Sequence, residues 1–332
     1  MKTNTKNILI GLALLGAATI NVRAAAYTFT PLNVTGPETV HGTIATGISG
    51  DNVVGYYYGD GWKNNGFVFD GTSYTTLNNS LGTYGTRVWG VSGGNIVGDY
   101  DSAAGPTLGF RYNGTSFTTI AAPASSTMTT IHGVSGNTAA GYYTDTATGK
   151  FHGFLYNGSS YTTIDNPLAG VLGGGTTVFG ISGDQVVGYY YDNTPGSNPK
   201  GYLYDGTKVG DARYSPIDVP SANGTYPNAV FGSTVVGRYF DSDWATHGFL
   251  YDSISKIYTT LDCPLGPGPG TEIIGIDGST LVGTYLDSGA NNVGFIATSA
   301  VPEPGQWAMM GVTFVGVAGF VIRQRRAKAA AR

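Results

Sequence analysis

The chain lacks several features on which many exported proteins and enzymes depend. Its 332 residues contain one cysteine, Cys263, and three glutamates, at positions 38, 272 and 303. A single cysteine cannot form a disulfide within the chain, so a disulfide-stapled scaffold is excluded. Cys263 is predicted to be a small buried residue, and a free or intermolecularly paired thiol is the alternative. A pair of glutamates of the glycosidase type has almost no candidates, whereas pairs of aspartates are not excluded.

Basic residues are scarce in the central part of the chain. Eight of the 17 Lys and Arg residues lie outside residues 27–303, whereas all 21 acidic residues lie within that range. The central part therefore has nine cations against 21 anions, a formal charge near −12, although the whole chain has −4. Binding to nucleic acid depends on cationic contacts to phosphates, so no nucleic-acid partner is expected. The acidic protein would repel anionic polymers unless divalent cations bridged the polymer and the protein.

Residues 1–26 have the pattern of a secretory signal peptide. Lys2 and Lys6 precede an apolar stretch over residues 8–20, and three alanines at 24–26 supply the small residues of a cleavage site. We therefore expect an exported protein whose mature chain begins near Tyr27.

The last 33 residues, 300–332, form a second distinct segment. They contain a Pro-Glu-Pro sequence, a tryptophan, an apolar run and a basic tail, with the characteristic residues Val301, Pro302, Glu303, Pro304, Trp307, Arg323, Arg325 and Arg326. This pattern resembles the PEP-CTERM sorting signal of bacterial surface proteins. The resemblance implies an exosortase-type membrane protease as a partner, which would recognise and cleave the tail.

The physical properties of this tail agree with the resemblance. A helix needs about 20 apolar residues to span a bilayer, whereas residues 307–322 offer 16, so insertion would thin the bilayer locally. The basic residues after 322 place the C-terminus in the cytoplasm and the preceding chain outside. We expect a transient inner-membrane anchor before processing. An ordinary anchor that is never cut is the alternative.

Two short patterns recur six times between the terminal segments. The first is a pair of apolar residues followed by glycine, at 43 to 49 residue intervals, with the glycines Gly55, Gly98, Gly141, Gly188, Gly237 and Gly283. The second is glycine followed by Phe or Tyr, and it begins at Gly66, Gly109, Gly153, Gly201, Gly248 and Gly294. Because the two patterns advance together, they indicate six structural repeats.

Each repeat divides into four short β-segments. A Gly-Ile-Ser-Gly sequence or a relative ends the first, the apolar pair with glycine lies in the second, and Gly-Phe-Leu-Tyr lies in the third. Pairs such as Asp70-Gly71 follow and tolerate the positive φ of a tight hairpin. The fourth segment is of the Tyr-Thr-Thr-Leu type, which favours β-structure.

The sixth repeat lacks its fourth strand, and residues 27–32 resemble that strand without having a partner of their own. We therefore predict an all-β, six-bladed β-propeller over residues 27–299, closed by the N-terminal strand and followed by a C-terminal hydrophobic helix. A β-solenoid is the alternative, but it would not need the first strand to complete the last repeat. His152-Gly153-Phe154 and His247-Gly248-Phe249 resemble HAF-type extracellular repeats, a resemblance that implies no established activity.

Two kinds of side chain recur with the repeats. A tyrosine follows each anchor glycine by two residues, and it is predicted to pack between blades or, alternatively, to stack on sugars: Tyr57, Tyr100, Tyr143, Tyr190, Tyr239 and Tyr285. An aspartate ends the same strand and could form a ring that binds Ca²⁺ or sugar hydroxyls: Asp60, Asp101, Asp145, Asp192, Asp241 and Asp287. The alternative for these aspartates is a turn cap. No spacing of histidines indicates a zinc site, and no cofactor is expected.

The sequence as a whole indicates a non-enzymatic protein of the cell surface or extracellular matrix. PEP-CTERM systems are associated with exopolysaccharide and biofilm production, and a surface rich in Tyr, Thr, Ser and Asn suits sugars. We therefore expect binding or organisation of extracellular polysaccharide or other envelope components. The alternative is a secreted hydrolase or lyase, which would need two aspartates, or an aspartate with Arg238 or a histidine, converging at one blade junction.

Overall fold

The computed structural model of the protein describes residues 27–35, 40–103, 105–122, 126–170, 174–194 and 196–299. These residues form 24 β-strands and two short 3₁₀ helices, Asp60–Trp62 and Gly210–Arg213. Within those ranges, no helix is both long and apolar enough to cross a membrane. The predicted signal peptide, and the predicted sorting signal with its hydrophobic helix, lie outside the described residues. The prediction of an all-β domain is confirmed for the described part.

The strands form six consecutive four-stranded units. Unit one contains β2 (Thr43–Ser49), β3 (Asn52–Tyr58), β4 (Asn64–Phe69) and β5 (Tyr74–Thr76). Unit two contains β6 (Gly85–Ser92), β7 (Asn95–Asp101), β8 (Leu108–Tyr112) and β9 (Phe117–Ile120). Unit three contains β10 (Ser126–Ser135), β11 (Thr138–Asp145), β12 (Phe151–Tyr156) and β13 (Tyr161–Thr163).

The remaining units follow the same plan. Unit four contains β14 (Gly180–Ser182), β15 (Gln185–Tyr190), β16 (Lys200–Asp205) and β17 (Tyr214–Ile217). Unit five contains β18 (Thr225–Phe231), β19 (Thr234–Phe240), β20 (Thr246–Asp252) and β21 (Ile257–Thr260). Unit six contains β22 (Glu272–Asp277), β23 (Thr280–Leu286), β24 (Asn292–Ser299) and the N-terminal strand β1 (Tyr27–Leu32).

Within every unit, neighbouring strands pair antiparallel, and each sheet stays open. The N-terminal strand completes unit six, as expected from the sequence, with Tyr27 opposite Ser299 and Leu32 opposite Gly294. Units one and six are also in contact, because a Cβ on Gly275 would lie 3.1 Å from the carbonyl oxygen of Thr46. The first strand of the last unit therefore packs against the first strand of unit one.

The first strand of most units contains a β-bulge just before a glycine. In unit two the register shifts between Val88 and Gly90, and in unit three it shifts between Ile131 and Gly133. A bulge turns its extra residue out of the regular alternation. The residues at this position point towards the axis around which the units are arranged: Thr46, Trp89, His132, Phe179, Asn228 and Ile274.

The bulge also accounts for the anchor glycines of the second strands. A Cβ on Gly98 would lie 2.1 Å from the carbonyl oxygen of Arg87, and one on Gly141 would lie 2.0 Å from that of Thr130. No side chain fits at such distances, so the close approach of two backbones requires glycine.

The core lies between successive units. One aromatic ring from each third strand is at most 1% exposed: Phe67, Phe110, Phe154, Tyr202, Phe249 and Phe295. The glycine before each ring allows the next unit to approach, since a Cβ on Gly153 would lie 2.7 Å from Val178 Cγ2. The repeated tyrosines belong to the same packing. The hydroxyl of Tyr100, for example, lies 3.0 Å from Thr119 Oγ1 of its own unit.

The antiparallel arrangement defines two ends of the molecule. The turn face carries the tight turns between the first and second strands of each unit, and the loop face carries the connections between the second and third strands. On the turn face, Gly93 N donates to Ser49 Oγ at 3.1 Å, and Gly50 N donates to Asp277 Oδ2 at 2.7 Å. These bonds link neighbouring units, including the last to the first. Ser299 and Tyr27 lie at this end.

Candidate functional site

A cavity of about 320 Å³ lies on the axis and opens towards the loop face. We call it the axial cavity. Its wall combines aromatic and polar side chains, chiefly those of Tyr56, Trp89, His132, Phe179, Arg238 and Glu272. Concave sites with a few polar groups on an aromatic wall are typical of small-ligand binding. Towards the turn face the axis narrows to a space of about 80 Å³.

A row of aromatic side chains includes those of the cavity wall and is continuous through five units. The Trp89 ring lies 4.4 Å from that of His132, which lies 4.4 Å from Phe179. Further contacts of 4.9 to 5.4 Å extend the row in both directions. We call this row the aromatic series: Tyr56, Trp89, His132, Phe179, Tyr189 and Tyr226. These spacings are within the range of favourable ring–ring contacts, so the series forms a rigid apolar surface.

Asp99 fixes the central tryptophan of the series. This carboxylate is 2% exposed and accepts hydrogen bonds of 2.6 Å from Trp89 Nε1 and from Thr130 Oγ1. Its second oxygen forms an ion pair with Arg87 Nη2 at 2.6 Å. Burial raises the pKa of Asp99, although Arg87 and the two hydrogen bonds act in the opposite direction. The hydrogen bond to Asp99, which Arg87 and Thr130 hold in turn, fixes the position of Trp89.

His132 is the only histidine that lines the axial cavity among the described residues. Its burial, together with the nearby charge of Arg87, lowers the pKa of His132 to about 3. The imidazole is therefore neutral over the physiological range. It contacts Trp89, Phe179 and, with nearly parallel rings at 5.6 Å, Tyr142, so it contributes a flat ring rather than a positive charge.

The polar part of the wall lies in units five and six. The Arg238 guanidinium lies 4.7 Å from the Tyr226 ring centroid and 5.4 Å from that of Phe240. Its Nε is 3.4 Å from Glu272 Oε1, an ion pair without hydrogen-bond alignment. Asn228 Nδ2 donates to the same carboxylate oxygen at 3.1 Å. A cation, a carboxylate and an amide thus face the cavity beside the aromatic series.

The six aspartates singled out in the sequence are engaged in their own surroundings. Asp145 Oδ1 accepts hydrogen bonds from Thr148 Oγ1 and from two backbone N–H groups of its turn, which lower the pKa of Asp145. Asp241 and Asp287 accept similar backbone bonds. Asp192 pairs with Lys200 at 2.5 Å, Asp101 pairs with Arg87 at 2.7 Å, and Asp60 begins a 3₁₀ helix.

A ring of metal ligands at these positions stays a prediction. Among the described residues, no group of three or more His, Cys, Asp or Glu side chains lies close enough together to hold a metal ion. The hydrogen bonds above are those of turn caps, which was the alternative for the same aspartates.

The paired histidines of the third strands have a common environment. His152 Nδ1 lies 2.7 Å from Asp165 Oδ2, and His247 Nδ1 lies 2.7 Å from Asp262 Oδ2. Asp262 follows the fourth strand and also accepts the backbone N–H of Gly248 at 3.2 Å. These contacts are remote from the axial cavity. The aspartates after these fourth strands were missed in the sequence. Asp165 and Asp262 follow two of the four fourth-strand segments of the Thr-Thr-Ile or Thr-Thr-Leu type, whereas Asn78 and Ala121 follow the other two.

The residues of the cavity wall were also missed, apart from Arg238. Trp89, His132 and Phe179 occupy the one position of the first strand that differs in every unit. A signal was available, because a position that varies within an otherwise regular repeat is free of the packing that fixes its neighbours. The bulge that points these residues to the axis could not be read from the sequence alone.

Comparisons with known proteins add the class of fold and the nature of the tail. Residues 300–326 match the PEP-CTERM protein-sorting motif, and the motif implies an exported protein that an exosortase processes at the cell envelope. No curated protein matches this chain. The structure is similar to that of the SapL1 lectin in complex with alpha methyl fucoside, with a TM-score of 0.50 and 14% identity over 80% of this chain and 97% of that one.

Two further solved structures match with lower TM-scores. The Aleuria aurantia lectin AAL has a TM-score of 0.44 and 15% identity over 66% of this chain and 76% of its own. The β-propeller domain of the trilobed protease from Pyrococcus furiosus has a TM-score of 0.44 and 9% identity over 78% and 95%. The likeness to the SapL1 lectin concerns the fold alone. The resemblance to HAF-type repeats stays a prediction.

Proposed function

We propose that the protein is a six-bladed β-propeller, fastened by its N-terminal strand, that binds an uncharged carbohydrate in the axial cavity at the bacterial cell surface. The observation that carries this proposal is the wall of the cavity. The aromatic series lies beside Arg238, Glu272 and Asn228. Sugar rings have apolar C–H faces that stack on aromatic rings, and their hydroxyl groups need both donors and acceptors, which this pair of surfaces supplies.

The charges of the molecule favour a neutral ligand. Arg238 is offset by Glu272 at 3.4 Å, and Arg87 is offset by Asp99 and Asp101. The cavity therefore has no excess positive charge for an anionic group, and the acidic central chain repels anionic polymers. The SapL1 lectin is itself described with a fucoside, so the same fold is compatible with a sugar ligand.

The PEP-CTERM motif supports the proposed location. An exported chain that is processed by an exosortase would display the cavity outside the cell, where the available carbohydrates are those of the envelope and of extracellular polysaccharide. Export through the segment 1–26 and cleavage of the tail belong to the same proposal.

Binding without cleavage is the form of the function that the cavity favours. A hydrolase or lyase needs a carboxyl group that is free to exchange a proton with the substrate. Asp99 is the acid bonded to Trp89 of the aromatic wall, and it is covered by Trp89, Thr130 and Arg87. Glu272, the other acid at the cavity, is held by Asn228 beside Arg238.

The test is a binding measurement on the full chain, purified in detergent, with polysaccharide from the cells that produce it. We expect retention of the polymer without a change in its length, and Arg238→Gln should weaken retention at least tenfold. The turn variant Asp145→Asn, remote from the cavity, serves as the control and should retain the polymer fully.

A shortened polymer would instead favour the hydrolase or lyase. Because the six aspartates bond to their own surroundings, a calcium chelator should have no effect.

A further inference from the structure

Two tryptophans stand exposed at equivalent turns on the loop face. Trp62 is 65% exposed and Trp244 is 61% exposed. Each lies just before the third strand of its unit, Trp62 in unit one and Trp244 in unit five. A large aromatic side chain that stays in solvent loses the stabilisation that burial would provide, so two such residues at corresponding places need an explanation.

The backbone at both tryptophans is unfavourable for a large side chain. Trp62 has φ 63° and Trp244 has φ 64°, in the left-handed region. Trp244 N donates to Asp241 O at 3.1 Å, and Trp62 N donates to Gly59 O at 3.0 Å, so both follow a tight turn at a position where glycine is usual. In unit six the same position of the turn is occupied by Ala290, with φ 60°, and in unit three a turn one residue longer has Gly149, with φ 70°. Residues strained in this way tend to occur at functional sites.

Both tryptophans continue the aromatic series of the axial cavity. At one end, Trp62 lies 6.0 Å from Tyr58, which lies 5.8 Å from Tyr56. At the other end, Trp244 lies 5.9 Å from Phe240, over which the Arg238 guanidinium is placed. The cavity wall therefore extends without interruption onto the loop face in two places.

The surroundings of Trp62 make it a platform rather than part of a core. Its ring is stacked on His41 at 4.6 Å with an interplanar angle of 17°. One face of the indole is thus supported, while most of the side chain remains open to solvent. Between the two tryptophans, unit six contributes polar residues to the cavity, including Thr284 and Asn292. The exposed aromatic groups are therefore separate platforms on a polar surface, not one continuous apolar patch.

We propose that Trp62 and Trp244 are outer binding platforms for an extended, uncharged glycan chain that passes over the axial cavity. This inference rests on the proposed function and names the form of the ligand: a polymer that contacts the cavity with one segment and both platforms with the segments on either side. Separate aromatic platforms flanked by polar groups suit successive sugar rings, whereas a protein partner would need a contiguous apolar patch at the centre of its interface.

The test replaces each tryptophan by glycine in the full chain. Since glycine adopts positive φ at no cost, Trp62→Gly and Trp244→Gly should keep the midpoint of thermal unfolding equal to or above that of the wild type. The double variant should nevertheless bind the neutral polysaccharide retained by the wild type at least tenfold more weakly. Its affinity for a disaccharide from the same polymer should change less than twofold, because the disaccharide occupies the cavity alone.

The control is Leu168→Ala, which removes an apolar side chain that is 66% exposed in the connection between β13 and β14. It should leave both affinities unchanged. If the double tryptophan variant keeps the polymer affinity of the wild type, the proposal of outer platforms is refuted, whereas the proposal of binding in the axial cavity is not. If Leu168→Ala weakens binding as much as the tryptophan changes do, the proposal of platforms is overturned. The loop face is then better interpreted as a general apolar surface for a protein partner. If the wild type binds neither polymer nor disaccharide, the proposed function and the platforms both fail.

Discussion

Gly98 represents the residues at which the fold depends on the absence of a side chain. Its hydrogen faces the Arg87 carbonyl oxygen, where a Cβ would lie only 2.1 Å away. The neighbouring Gly94 belongs to the turn of the same hairpin and has no atom within 4 Å of a Cβ position. A comparison of the two positions therefore distinguishes a glycine required by close packing from a glycine that is merely usual in a turn.

We expect Gly98→Ala to lower the free energy of unfolding by about 3 kcal/mol, because two backbone segments must move apart. Gly94→Ala should change it by less than about 0.5 kcal/mol, as for other surface substitutions. Urea denaturation of both variants measures the difference. Equal effects on the free energy of unfolding would show that the close approach of the two backbones does not determine which residues are tolerated at position 98.

His247 is the residue whose charge should make stability depend on pH. Burial alone would lower the pKa of His247, but contacts to Asp262 at 2.7 Å and Asp241 at 3.2 Å raise it above its usual value. A raised pKa means that the folded state holds the proton more tightly than the unfolded chain. The stabilisation is therefore fully present below about pH 6.5, the value of an unperturbed histidine, and is lost as the pH rises through the folded pKa.

His247→Gln should accordingly cost more stability at pH 5.5 than at pH 8.5. Thermal unfolding of wild type and variant at the two pH values gives the comparison. His152→Gln is the matched control, since His152 occupies the same place in unit three but contacts a single carboxylate. An equal cost of His247→Gln at both pH values would contradict the assignment.

At the scale of elements, β1 determines whether unit six is complete. It pairs along its full length with β24, Leu32 is 3% exposed, and Phe29 lies 5.1 Å from the Phe295 ring. The strand is the chain's first described segment, and its partner is the last, so their pairing joins the two ends of the domain.

Leu32→Ala should lower the free energy of unfolding by about 3 kcal/mol, the usual cost of truncating a buried leucine. Thr30→Ala, on the exposed side of the same strand, should cost less than about 0.5 kcal/mol. Chemical denaturation of both variants, and of a chain that begins at Asn33, tests the role of the strand. The truncated chain should be less stable than Leu32→Ala, and a truncation without effect would argue for independent stability of the other units.

The elements were more predictable from the sequence than the cavity was. The anchor glycines, the Tyr-Thr-Thr strands and the unpartnered Tyr27–Leu32 strand indicated four strands per unit, because each marks a backbone requirement that recurs in every unit. The axial residues carry no such requirement. Trp89 and His132 become neighbours only when two units pack, and the bulge that directs them to the axis depends on contacts between strands.

At the scale of the whole molecule, the axial cavity and the last described residue, Ser299, lie at opposite ends. Asn292 begins β24 beside the axial cavity, and Ser299 ends the same strand at the turn face. The PEP-CTERM motif starts at residue 300, immediately after that strand. A chain held at the membrane by its tail would therefore present the loop face outwards.

A pair of cysteine variants in unit six can test this orientation on intact cells. Ser288→Cys lies in the connection on the loop face and Ser279→Cys in the turn on the opposite face, and both positions are exposed. A bulky maleimide should label position 288 at least severalfold faster than position 279, while purified protein should be labelled equally at both. The native Cys263 is buried, so the background should be low. Equal labelling on cells would contradict the outward orientation.

The pairing of β24 with two antiparallel neighbours also decides how the molecule would carry mechanical load. A polymer held at the loop face and a tail held at the turn face would pull along β24, parallel to its length. The hydrogen bonds to β23 and β1 would then be strained together rather than opened one after another from an end. The first strand thus adds a second row of hydrogen bonds to β24, and a chain beginning at Asn33 should unfold at a lower force in an optical trap.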